Sequence, residues 1–223
     1  MIVSAGLGCV RATTAIPGYD LTLTRDGVRA HVEGAFDAAA WWRCVERGPY
    51  SARLADELHG RPLVLACLSR AYAPLVAPEL AAIPPDRLRI FGRALDGVLP
   101  PAVAACVLPY DDRLETAGPP GTRSDFAQRA LMHYAEKIAP SSDGSLALDR
   151  AAVTAALASQ PQPRSIPART RADDEAIREL IARLLPVVGK GSSAMLRHLR
   201  DREGFACEQG RFARLYRDVA ERS

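Results

Sequence analysis

Apolar and polar positions recur along this chain in distinct ways, and each change of pattern marks a change of element. Four stretches are largely apolar and of strand length: Met1 to Gly8, Pro62 to Leu68, Leu88 to Phe91 and Val103 to Leu108. Leu21 and Leu23, then Val28, Ala30 and Val32, alternate about Asp26-Gly27, which predicts a β-hairpin. Between the strands the apolar residues fall at helical spacing. Helices are predicted over 35–47, with Phe36, Ala39, Ala40 and Trp42 on one face, over 50–59, with Leu54, Ala55 and Leu58, and over 74–80, with Pro74 in the first turn. A helix over 124–138 follows the turn Gly118-Pro119-Pro120-Gly121, with Ser124 as its N-cap, and another spans 146–158.

Strands apolar on both faces and separated by helices predict a largely parallel sheet covered on both sides. The fold class expected for residues 1–158 is therefore α/β, three-layer α/β/α. Residues 159–172 contain Pro161, Pro163 and Pro167 and read as a stiff linker. Residues 173–223 read as a small all-α module. Ile177, Leu180, Ile181, Leu184 and Leu185 form one stripe, and Ser192 or Ser193 caps a second helix with Met195, Leu196 and Leu199. A third helix over 208–219 turns Phe212, Leu215, Tyr216 and Val219 inward, giving a helix-turn-helix-like trio. Met1 to Gly8 reads as an edge strand, or as the start of a reading frame that has lost an earlier unit.

Charge separates the two parts. From Arg164 onward there are 13 Arg and Lys against 9 Asp and Glu, whereas the preceding 163 residues carry 16 against 17. A positive C-terminal module suits contact with phosphate, or simply a solvated arginine surface. Lys137 and Lys190 are the chain's lysines, so the arginine abundance also fits a codon bias. The five cysteines are scattered with no paired spacing, which predicts buried free thiols and no zinc site. No apolar stretch is long enough for a membrane span and no signal pattern opens the chain, so a soluble cytoplasmic protein without a membrane partner is expected.

The candidate chemistry lies at strand ends. Gly6 allows close backbone approach, Ser69 and Arg70 follow one strand, and Tyr110, Asp111 and Arg113 follow another, ahead of Arg123 and Ser124 at a helix start. Tyrosines such as Tyr19 and Tyr110 can stack on a base, and Asp20 or Asp111 could activate a water as the catalytic carboxylate. The plainer alternative is loop structure: Asp111 as a turn residue tied to Arg113, Tyr110 as a half-buried ring, Arg123-Ser124-Asp125 as a helix cap. In the third helix Gln209, Arg211, Arg214 and Arg217 face away from the core positions, where they could read bases and phosphates of duplex DNA or simply meet solvent. The four histidines lack partners nearby in sequence and read as structural or surface residues. No G-x-S-x-G, P-loop, G-x-G-x-x-G or H-E-x-x-H pattern occurs, and no cofactor is implied.

Ser4-Ala5-Gly6-Leu7-Gly8 followed by Pro17-Gly18-Tyr19-Asp20, with Leu68-Ser69-Arg70-Ala71-Tyr72, resembles uncharacterised bacterial α/β proteins with a Ser-Ala-x-x-Gly-Leu motif, over roughly the first 135 residues. The resemblance implies a uracil-DNA-glycosylase-like fold and a setting near DNA modification or phage defence. That family's further strand, ending in Ser-Cys-x-x-Lys-like residues, has no counterpart here. The Gly-Gln-Asp-Pro-Tyr segment of true uracil-DNA glycosylases is also missing, so uracil excision itself is not implied. The leading expectation is a DNA-acting protein that handles a modified nucleobase, a glycosylase-like hydrolase. The alternative is a non-catalytic DNA-binding accessory or regulatory protein whose α/β domain binds a nucleotide or a partner.

Overall fold

The computed structural model describes residues 1–23, 27–30, 32–117, 121–122, 124–162, 169–189 and 191–221. The chain divides into two compact units, Met1–Pro163 and Arg164–Ser223. Asp26, His31, Gly118 to Pro120, Arg123 and Lys190, all invoked from the sequence, lie outside the described residues.

In the first unit, β1 (Ile2–Ser4) and β2 (Gly8–Val10) form an antiparallel pair. Helix α1 (Ala38–Val45) begins where the Asp37 carboxylate accepts from the amides of Ala39 and Ala40, at 2.9 and 3.0 Å. The short α2 (Leu54–Leu58) precedes β3 (Val64–Cys67), and α3 (Ala73–Ala81) crosses from β3 to β4 (Leu88–Phe91). Strands β3 and β4 are parallel, with Val64 opposite Leu88 and Cys67 opposite Phe91. Ile90 also bridges to Val107 in parallel, so β4 has a neighbour on each edge. Helices α4 (Pro101–Ala104), α5 (Leu114–Ala117), α6 (Phe126–His133) and α7 (Leu146–Ala158) complete the unit.

Strand β4 is the centre of this arrangement. Leu88 and Ile90 enter one core with Leu75, Val76 and Leu80 of α3 and Trp42 of α1. Phe91 enters the other, with Leu108, Tyr110, Phe126, Tyr134, Val153 and Leu157. The strand is thus buried on both faces, as its apolar run predicts. Arg89 points to the second side and meets Asp149 of α7 at 2.6 Å, both side chains essentially inaccessible.

Several elements differ from the sequence pattern. Residues 21–32 form no hairpin ladder among the described residues. Val28–Ala30 is a 3-10 turn, and the Val28 amide donates to the Thr22 carbonyl at 2.8 Å. A Cβ on Gly27 would lie 2.1 Å from that same carbonyl, so the chain folds back tightly, and Leu23 and Val28 enter one core instead of alternating across strands. The stretch 103–108 is only partly strand-like, because the Pro100-Pro101 pair starts α4 and carries Val103 into it. The helix predicted over 124–138 begins at Phe126 and passes into a π-turn over Tyr134–Ile138. Ser124 does not cap it: its hydroxyl bonds to that of Thr122.

The second unit holds β5 (Thr170–Arg171), α8 (Asp174–Val188), α9 (Ser192–Asp201), β6 (Phe205–Ala206) and α10 (Gln209–Ala220). Ile177, Ile181, Met195, Leu199, Phe212 and Leu215 fill its core. Two features were missed. Gly191, not a serine, is the N-cap of α9, and β6 pairs in parallel with β5, which lies within the predicted linker. Among the described residues no helix is long and apolar enough to cross a membrane.

Candidate functional site

In the first unit, the chain beyond β4 and beyond Val107 opens into a cleft of about 480 Å³. Its wall includes Arg93, Ala94, Asp96, Asp111, Asp112 and Arg150. Because the strands are parallel, their C-terminal ends gather loops on one side, the position where open α/β sheets bind ligands.

The wall is polar and partly neutralised within itself. Asp111 accepts from the Arg113 guanidinium through both carboxylate oxygens, at 2.6 to 3.0 Å, and from the Arg113 amide at 2.9 Å. These bonds, the side-chain one foremost, hold its carboxyl below the usual range. Asp112 pairs with Arg93, whose guanidinium also lies 4.8 Å from the centre of the Phe126 ring. Arg150 reaches from α7 to the carbonyls of Ala105, at 3.0 Å, and Val107. Asp96 is exposed, and its carboxylate has no polar partner among the described residues. Ala94 between them has φ 50°, the one non-glycine positive φ described, and its carbonyl accepts from Arg70 at 2.5 Å.

The sequence-predicted residues separate into two groups. Asp111 and Tyr110 line the cleft, Arg113 clamps Asp111, and Arg70 braces the cleft wall through the carbonyls of Ala94 and Asp96. Gly6 and Tyr19 sit elsewhere: the Tyr19 hydroxyl bonds to Ser4, and a Cβ on Gly6 would press on Leu21. Asp20 is exposed and does not line the cleft. Ser69 borders a different, mainly apolar groove of about 520 Å³ beside β3. Gly6, Asp20, Ser69 and Asp111 therefore do not converge on this cleft.

Tyr110 requires a correction. Its ring is buried in the second core, 6.1 Å from Phe91, and its hydroxyl lies 2.9 Å from Nδ1 of His133. Such a ring is not presented for stacking on a base. Burial pushes the Tyr110 hydroxyl above the ordinary tyrosine range and lowers His133, so a protonated tyrosine faces a neutral imidazole. Ser124 is likewise absorbed locally. Asp125 beside it accepts from the Thr122 amide at 2.9 Å and from Arg129 at 2.8 Å, which fastens the loop onto α6.

No family model, curated protein or solved structure matches the chain.

Arg93, Asp96 and Arg150 were missed as cleft residues. The first two follow the predicted strand Leu88–Phe91 directly, so the rule that singled out Tyr110 and Asp111 applied equally to them. Arg150 arrives from a helix about forty residues further along, and nothing local marks it. Among the described residues no group of three or more His, Cys, Asp or Glu could hold a metal ion.

In the second unit, the outward face of α10 is less open than its spacing suggests. Arg211 donates to Asp174 at 2.7 Å and to the Ala172 carbonyl at 2.9 Å, and Arg214 shares Asp174 at 3.2 Å. Gln209 and Arg217 are exposed.

Proposed function

We propose that the protein acts on DNA: a glycosylase-like α/β unit handles a nucleobase or nucleotide in the strand-end cleft, while the helical unit grips the duplex. The cleft itself carries this reading. A polar concavity of about 480 Å³ beyond the C-terminal ends of parallel segments, walled by Arg93, Asp96 and Arg150, has the size and position of a nucleotide site. Burial of β4 on both faces supports a three-layer α/β/α architecture, and three helices around one core support a helix-turn-helix-like second unit. In this reading Asp96 takes the water-activating role first assigned to Asp20 and Asp111, because its carboxylate lines the cleft and has no polar partner among the described residues.

The non-catalytic reading, an accessory protein whose cleft only binds, is favoured by one observation: the Asp111 carboxylate is committed to Arg113. Assays of duplex binding and abasic-site formation on modified DNA separate the two. Asp96→Asn is expected to abolish abasic-site formation while leaving binding largely intact, and Asp111→Asn to lower stability more than turnover. Binding without any abasic product would select the accessory role. Neither binding nor product on any duplex would sink both.

A further inference from the structure

We propose that the second unit carries a phosphate-binding pocket built from Arg169, Arg171, Arg200 and Arg211, which shares Arg211 with the outward face of α10 and does not include Gln209, Arg214 or Arg217. These four arginines, with Ala206, Cys207 and Glu208, line a concavity of about 500 Å³ beside the β5–β6 pair. Four guanidinium groups around one hollow repel each other unless anions offset them. The carboxylates nearby are already engaged. Asp201 holds Arg169 at 2.9 Å, and Asp174 is divided between Arg211 and Arg214. Glu208 lines the hollow, yet its two oxygens accept from the Gly210 and Arg211 amides, each at 2.7 Å, as the cap of α10.

Arg171 and Arg200 make no ion pair among the described residues, although the charge of Glu208 also acts on Arg200. Among the described residues Arg200 donates to the Cys207 carbonyl alone, from Nη2 at 2.7 Å and Nε at 3.3 Å, with no partner there for Nη1. Arg171 is exposed and has no side-chain partner among the described residues. The frame beneath is ordered: Thr170 and Arg171 pair with Phe205 and Ala206, and the Thr170 amide donates to the Gly204 carbonyl at 2.8 Å. Planar guanidinium forks held on such a frame match the several oxygens of a phosphate better than any single carboxylate. The phosphate belongs to a nucleic-acid backbone or to a small phosphate ester, and the chemistry of the pocket is the same for both. The inference deepens the reading of this unit as the DNA-gripping part and can fail separately from it.

The test uses the full chain, a short labelled duplex, and inorganic phosphate with tripolyphosphate as separate titrants. Arg171→Glu should fold normally, because the side chain is exposed and has no hydrogen-bond or ion-pair partner among the described residues. It is expected to weaken duplex binding about tenfold or more and to reduce the slope of log affinity against log salt by about one unit. Arg217→Glu, on the exposed face of α10, should change either quantity less. Loss of tripolyphosphate binding in Arg171→Glu, with no duplex binding by any form, would keep the pocket, assign it to small phosphates and remove DNA from this unit. Duplex binding equally weakened by both variants, or unaffected by Arg171→Glu, overturns the pocket while leaving the DNA reading standing. A wild type that binds neither titrant nor duplex overturns it as well.

Discussion

Asp149→Ala is expected to cost the first unit about 3–5 kcal/mol, because it strands a buried cation. Arg89 has no accessible side-chain surface, and its remaining partners are carbonyls: Gly144 at 2.7 Å, Asp86 and Leu88 at 3.0 Å, and Pro85 at 3.4 Å. Carbonyl dipoles solvate a guanidinium but do not neutralise it. The same substitution removes the acceptor of the Tyr134 hydroxyl, at 2.7 Å, and of Ser142, at 2.5 Å. Against a total of about 5–15 kcal/mol for an ordinary domain, this brings the unit close to unfolding. Urea denaturation of the full chain measures it, and a loss below about 1 kcal/mol would contradict the account. Replacing both partners, Arg89→Met with Asp149→Leu, should recover most of the loss. Burial alone would raise the Asp149 carboxyl. The bonds from Ser142, Tyr134 and Arg89 outweigh it and hold the group below its ordinary 3.8. The native state therefore binds fewer protons than the unfolded chain there, and this contribution is lost as pH falls below that value.

Tyr110→Ala should be almost as damaging, at about 3–5 kcal/mol, since it empties a core position between Phe91 and His133. A ligand-stacking residue on a loop would show little such cost. Tyr110→Phe keeps the ring and removes the hydroxyl, leaving His133 Nδ1 without its partner, for about 1–3 kcal/mol. The pair also predicts a pH dependence. Burial lowers the His133 pKa from 6.5, so below that value the unfolded chain takes up a proton that the native state refuses. Stability then falls as pH falls, by at most about 1.4 kcal/mol per pH unit. His133→Gln, which hydrogen-bonds without titrating, should flatten this slope between the ordinary histidine pKa and the carboxylate range. A slope unchanged in His133→Gln would assign the acid sensitivity elsewhere.

These two networks show where the sequence was legible and where it was not. The strand Leu88–Phe91 and the helix over 146–158 follow from local pattern alone. Arg89 sits inside that strand, and nothing local says that it is buried, because its partner lies sixty residues away on α7. Tyr110 was legible as a strand-end tyrosine, but whether it turns inward depends on His133, which is brought near only when α6 packs. The false hairpin has the same origin. Alternating apolar residues fit a ladder or two inward-facing turn residues equally well, and the Thr22–Val28 bond decides for the turn. Of the candidate site, the end of the third parallel segment was legible. Arg93 and Asp96 were open to the same rule, and Arg150 was not, since it reaches the cleft only through tertiary packing.

If the strand-end cleft takes a nucleobase or nucleotide and the protein thereby acts on DNA, blocking the cleft should abolish its choice between bases. Ala104 is a half-buried small residue on its wall. Ala104→Trp should narrow the cleft from that wall, where the residue also packs against the first core. Wild type and variant are titrated with duplexes carrying normal and modified bases, with binding and abasic-site formation read on the same samples and melting temperature recorded alongside. Wild type is expected to discriminate between the duplexes by base, and Ala104→Trp to lose that discrimination while remaining folded. A wild type indifferent to every base, or a folded Ala104→Trp that discriminates as wild type does, would contradict that expectation.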